Sequence, residues 1–96
     1  MDVNYELYKV FYHVATTLSF SEASRQLYIS QSAVSQSVKT LEKKLGTPLF
    51  VRSTKNVQLT PEGETLLRHI EPAIQLIRQG ENNILEAGSL GGGQLR

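Results

Sequence analysis

Six side chains in one stretch of the chain have heads that could do recognition chemistry. Gln31, Ser32, Ser35, Gln36, Lys39 and Lys43 recur at helical spacing. Held on one face of a helix, they make a strip of short hydrogen-bonding groups that turns cationic further along. Short polar groups let a helix approach the base edges of a DNA major groove, and lysines meet phosphates. Gln36 donates and accepts at once, which suits the paired donor and acceptor of adenine; Lys39 suits a phosphate or a guanine edge. A second group is Arg52, just before the polar run Ser53-Thr54-Lys55-Asn56, and Lys55 within it. Ser21 joins the candidates for DNA contact from further upstream. An ordinary solvated helix has the same polarity, so the strip alone does not decide the matter. Other chemistries find no support. His13 and His69 have no neighbours at metal-ligand spacing, and the chain has no cysteine. No acid pair suggests acid–base work and no glycine-rich loop suggests phosphate cradling. No enzymatic activity, metal or cofactor is expected.

The strip needs a helix behind it. Val34, Val38, Leu41 and Leu45 recur at i, i+4, i+7 and i+11, the stripe of a core-facing helix over 31–45. Ser30 can cap its start by accepting an orphan backbone N–H. Lys43 and Lys44 suit the negative end of its dipole, and Gly46 suits the left-handed position that ends it. Upstream, Leu7, Val10, Phe11, Val14, Ala15 and Leu18 share one side of a first helix over 4–18, with Tyr5, Tyr8 and Tyr12 adding aromatic bulk. Ser21 reads as an N-cap for a short second helix over 22–28, with Ala23 and Leu27 on its inner side. A small residue at 23 or 24 admits a second helix at close range. Tyr28-Ile29-Ser30 forms the turn, without the usual glycine. Two short helices so joined, the second polar outside, make a helix-turn-helix.

Past Gly46 the period changes to alternation. Leu49 and Val51 alternate with Phe50 and Arg52, then Val57 and Leu59 with Gln58 and Thr60. This predicts a β-hairpin, the wing of a winged helix over 49–60, set against the DNA backbone or a minor groove. Thr60 caps the last helix, Pro61 fits its first position, and Glu62 and Glu64 suit its positive end. Leu66, Ile70, Ala73, Ile77, Gly80, Ile84 and Ala87 then repeat at steps of four and three, the 3.5-residue seam of paired helices. Leu67, Ile74 and Leu85 widen it. Over 61–87 this helix is ~40 Å long at ~1.5 Å per residue, too long for a small domain to cover. Leu66, Ile70, Ala73, Ile77 and Ile84 are therefore the expected dimer contacts. Pro72 removes one backbone hydrogen bond and should bend the helix. Residues 88–96, rich in glycine, read as a flexible linker.

The ordered set Phe11 and Ala15, Ser19-Phe20-Ser21-Glu22-Ala23-Ser24, Leu27, Ile29-Ser30-Gln31-Ser32-Ala33-Val34-Ser35, Leu41-Glu42, Leu45-Gly46, Leu49-Phe50, Arg52 and Leu59-Thr60-Pro61-Glu62-Gly63 resembles the N-terminal region of LysR-type transcriptional regulators. The resemblance covers nearly the whole chain. It implies a mainly α fold: a winged helix-turn-helix of three helices and a two-stranded hairpin over 1–60, then a linker and dimerisation helix over 61–87. Residues 88–96 would lead toward an effector-binding domain absent here, and the chain would be an excised fragment. Two features depart from the family pattern. Ser32 and Ala33 stand where prolines are frequent, and Gln36 stands where arginine is frequent. Both lie on the base-reading face, so an operator cannot be borrowed from relatives.

Composition fits this reading. Ninety-six residues suit one modest core. Residues 31–56 carry Lys39, Lys43, Lys44, Arg52 and Lys55 against the single acid Glu42, while the whole chain is only +1. A localised basic segment favours an anionic partner. No apolar run approaches the ~20 residues of a membrane span, and the N-terminus has no apolar signal core, so a cytoplasmic protein is expected. Sequence-specific binding of double-stranded DNA as a homodimer, on an interrupted inverted repeat, explains strip, wing and seam together. A tetramer is open to the full-length parent, and a small-molecule effector would act only through the absent domain. A MarR-like winged-helix regulator would add dimer helices at both ends. A helical protein-interaction module explains only the seam.

Overall fold

The computed structural model describes residues 4–53 and 56–90, with the backbone alone at Arg52 and at 88–90. Helices α1 (Tyr5–Thr17), α2 (Phe20–Leu27) and α3 (Gln31–Leu45) precede a hairpin of β1 (Phe50–Arg52) and β2 (Val57–Leu59), and α4 (Pro61–Leu90) follows. The three short helices pack on one another, and the hairpin and first turns of α4 close the open side. The core is Val10, Phe11, Val14 and Ala15 of α1, Ala23 of α2, Val34, Val38 and Leu41 of α3, and Leu49 and Phe50. Ala23 is completely buried, as close packing across α2 requires. Phe50 joins the layers: its ring lies 5.5 Å from that of Phe11 and 6.0 Å from that of Phe20.

Four expectations need correction. The second helix begins two residues early, at Phe20, and its N-cap is Ser19, whose hydroxyl accepts from the Glu22 N–H at 2.9 Å. Ser19-x-x-Glu22 has the spacing of a capping box, and only Ser19 has the extended backbone that a cap needs. Ser21 is therefore an exposed first-turn residue. The alternation read from Leu49 onward also does not start there. Leu49 and Phe50 are both buried and Val51 is 53% exposed, because β1 starts only at Phe50. Leu18, assigned to the inner stripe of α1, is exposed because the chain turns there through φ 54°. Finally, α4 passes through Pro72 and Gly80 as one continuous helix and reaches Leu90, taking in 88–90, which sequence read as linker. The rest of that linker, 91–96, lies outside the described residues.

Four local devices hold the hairpin. Glu42, in the last turns of α3, turns its carboxylate to the wing, and its Oε2 accepts from the backbone N–H of Leu49 at 2.7 Å and of Phe50 at 3.3 Å. Thr60 donates its hydroxyl to the Pro48 carbonyl at 2.8 Å and accepts from the Gly63 N–H at 3.0 Å, so one side chain caps α4 and ties it to the strand entrance. Gly63 rests directly on the Leu49 carbonyl oxygen; a Cβ there would overlap that atom. At the tip, Ser53 and Asn56 close the turn through backbone and hydroxyl hydrogen bonds of 3.0–3.1 Å.

Along α4 the apolar seam divides. Leu66, Leu67 and Ile70 are half-buried against the domain's own core, and Ile74 is 2% exposed. Ala73, Leu76, Ile77, Ile84 and Leu85 are exposed. No helix among the described residues is long and apolar enough to cross a membrane.

Candidate nucleic-acid interface

Helix α3 has the boundaries its sequence predicts. Ser30 is its N-cap, accepting from the Ala33 N–H at 3.1 Å, and Gly46 ends it at φ 77°. Val34, Val38 and Leu41 are fully buried, which fixes the rotation of the helix about its axis. That rotation leaves Gln31, Ser32, Gln36 and Lys39 exposed along the outward face. Ser35 is half-buried at the margin of the strip, so its hydroxyl has less reach than Gln36. Ser32 and Ser30 hydroxyls lie 3.2 Å apart.

The turn before α3 works without its usual glycine because Tyr28 takes the left-handed conformation, φ 58°, ψ 39°. Such a backbone costs a non-glycine residue roughly 1–2 kcal/mol. The Tyr28 N–H and the Ile29 N–H close the end of α2 on the Arg25 and Ser24 carbonyls. The ring itself is 94% exposed.

Two concavities bracket the outward face. One open hollow runs along α3 and is lined by Gln36, Lys39, Thr40, Lys43 and Lys44, joining the polar half of the strip to three cations. The other lies where three elements meet. Ser19, Phe20 and Ser21 line it from α2, Gln31 from α3, and Asn56, Val57 and Gln58 from the wing. So Ser21 and Gln31 share one cleft, while Gln36 and Lys39 share another. The wing residues in the first of these, Asn56 and Gln58, were not singled out in the sequence. The signal was present for Gln58, whose neighbours Val57 and Leu59 are the half-buried positions of β2. Thr40 was likewise not singled out, and Lys44 was read only for the helix dipole and the basic segment.

Arg52 is placed in β1 by its backbone, opposite Val57. Its side chain and Lys55 lie outside the described residues. The two histidines occupy ordinary positions: His13 Nδ1 is 2.6 Å from Gln26 Oε1, and His69 Nδ1 is 2.9 Å from the Thr65 carbonyl. No group of three or more histidine or acidic side chains among the described residues is gathered to hold a metal.

What this geometry can do is present a helix edge of hydrogen-bonding groups, flanked by cations, between a second helix and a hairpin. Comparison with known proteins meets the same arrangement. Residues 5–64 match the family model described as bacterial regulatory helix-turn-helix protein, lysR family. The HTH-type transcriptional regulator HdfR of Yersinia pestis is 38% identical over 82 residues, covering 85% of this chain. The chain spans only 28% of that relative's length. Among solved structures, the BenM DBD in complex with catB site 1 DNA superposes with a TM-score of 0.81 at 25% identity, covering 91% of this chain and 97% of that one. A cysteine mutant of OxyR from Corynebacterium glutamicum, bound to H2O2, gives 0.84 at 30% identity, over 92% of this chain and 27% of that one. The CbnR DBD in complex with DNA gives 0.74 at 27% identity, over 88% and 99%.

Proposed function

The chain belongs to the lysR family of bacterial regulatory helix-turn-helix proteins, and from that premise we propose that it binds double-stranded DNA sequence-specifically as a homodimer and so regulates transcription. The observation that carries this reading is the exposed strip Gln31, Ser32, Gln36 and Lys39 on a helix whose opposite side is fully buried. A helix held so firmly from behind can enter a major groove without rotating. Gln36, and from the margin Ser35, read base edges; Lys39 meets a phosphate or a guanine edge. Ser21 and Gln31, with Asn56 and Gln58 in the same cleft, position the sugar–phosphate backbone through neutral hydrogen bonds. Arg52 and Lys55 add the wing's cations.

The division of labour is a DNA-binding unit over 1–60 and a dimerisation helix from 61 onward. Dimerisation falls to Ala73, Ile77 and Ile84, with Leu76 and Leu85 beside them, since Leu66 and Ile70 are already engaged by the domain core. BenM and CbnR DBDs have been solved on DNA, which supports the same partner here. An effector domain outside this chain, a cytoplasmic location and the absence of catalysis complete the proposal. Selection of bound sequences from a random DNA pool tests it. An interrupted inverted repeat should emerge, because two copies related by a two-fold axis read two copies of one half-site. Enrichment of no sequence, or of a single isolated half-site, overturns it.

A further inference from the structure

Beyond Ile70, α4 leaves the main core, yet it touches the winged domain once more. The Arg78 guanidinium carbon sits 5.5 Å from the centroid of the Tyr12 ring. One turn earlier, Gln75 Nε2 points its N–H at the Tyr12 hydroxyl at 3.5 Å. Tyr12 and Ile74 are both buried, at 8% and 2% exposure, and neither belongs to the main core cluster. After Arg78, every α4 residue through Ala87 is exposed. Gln75 and Arg78 thus tie α4 to Tyr12 of α1 beyond the main core. The grip lies just past Pro72, where the helix lacks one backbone hydrogen bond and bends most easily.

We propose that Tyr12, Gln75 and Arg78 form a clamp that fixes the direction in which α4 leaves the winged domain, and that they are positioning residues for the spacing between the two half-sites. The inference rests on the DNA-binding dimer proposed above. The lever arm decides its size. From Pro72 to Ile84 the helix rises ~18 Å at ~1.5 Å per residue. A swing of about 10° at Pro72 therefore moves the Ile84 end by about 3 Å, close to the ~3.4 Å step of one base pair. In a dimer joined through that end, the same swing displaces each winged domain relative to its mate. Small changes at the clamp are then read as changes in preferred spacing, while each domain's own half-site recognition is untouched. A planar guanidinium stacked on an aromatic face suits such a clamp, because it adds an oriented contact to the burial of Ile74 one turn earlier.

Two measurements on the chain test this. In the first, Glu6→Cys and Glu81→Cys, both exposed sites in a chain without cysteine, carry spin labels, and labelled chain is diluted into unlabelled. One narrow distance distribution is expected for the parent, a broadened one for Arg78→Ala, and recovery for Arg78→Lys, which keeps a cation over the ring. In the second, affinities are measured for selected operators whose half-site spacing is changed by one or two base pairs, and for an isolated half-site. Arg78→Ala should reduce the preference among spacings by about fivefold, the worth of an exposed cation–π contact, and leave the isolated half-site unchanged. An unchanged distance distribution overturns the clamp. A variant that weakens the isolated half-site as much as the full operators makes Arg78 a stability residue and also overturns the proposal. A parent chain that binds no probe overturns the DNA-binding reading, and the spacing role with it, whatever the labels report.

Discussion

Val34 and Gln36 stand two positions apart on α3 and have opposite environments: Val34 is wholly buried and Gln36 is exposed. The buried residue fixes which way the exposed one points. Truncating Gln36 should then change recognition and leave folding intact. Gln36→Ala is expected to cost about 1–3 kcal/mol per half-site and to relax preference at one base position. Affinities of parent and variant for a set of single-base operator changes check this; uniform weakening across the set would make Gln36 a positioning residue. Glu42 is the contrasting case. In sequence it reads as the lone acid in a basic segment, yet its carboxylate accepts two backbone N–H groups at the wing entrance. Glu42→Ala leaves the N–H groups of buried Leu49 and Phe50 without that acceptor, a loss of about 1–3 kcal/mol that a denaturant melt would show. Glu42→Gln keeps an acceptor oxygen and should retain part of it.

At the scale of elements, helices with strong ends were legible and elements defined by contact were not. Ser30, the Val34–Val38–Leu41 stripe and Gly46 state where α3 begins, faces and ends, and the structure follows them. The start of α2 was missed by two residues because Ser21 was read as its cap, whereas the extended backbone that a cap needs lies at Ser19. The alternation read from Leu49 onward does not appear in the burial because a three-residue strand holds barely one period; burial of both Leu49 and Phe50 comes from the chain entering the strand, not from its pleat. The close approach of α4 to this entrance was also hidden, since it depends on an absent side chain. Gly63→Ala would force a Cβ onto the Leu49 carbonyl oxygen, which is backbone and cannot step aside. We expect a loss of about 3 kcal/mol or more, read by thermal unfolding, whereas Gly80→Ala, with open space around it, should stabilise α4 by about 0.5–1 kcal/mol.

The described residues together measure 52 × 26 × 20 Å, and their long axis is close to the ~45 Å of a thirty-residue helix. A projecting helix with Leu76, Ile77, Ile84 and Leu85 exposed offers an apolar face for a second copy. Ile77→Glu with Ile84→Glu would place charge in that face, at several kcal/mol if it is an interface. Sedimentation should show a dimer for the parent and a monomer for the double variant; a monomeric parent at high micromolar concentration would refute the pairing. The seam's period was legible from sequence, but not which of its residues are spent at home. Leu66 and Ile70 obey the same repeat as Ile77, and only packing shows that the first two serve the winged domain. The Tyr12–Arg78 contact was beyond sequence altogether, since nothing local marks two residues so far apart as neighbours. The anchoring of the wing has a consequence for how such a protein diversifies. The hydrogen bonds that seat the hairpin come from Glu42 and Thr60, away from the exposed strip of Ser32, Gln36 and Lys39. On the proposed function the reading head would be an exchangeable cassette: its letters should be open to rewriting by mutation, or to randomisation in a library, without renegotiating the scaffold that holds it.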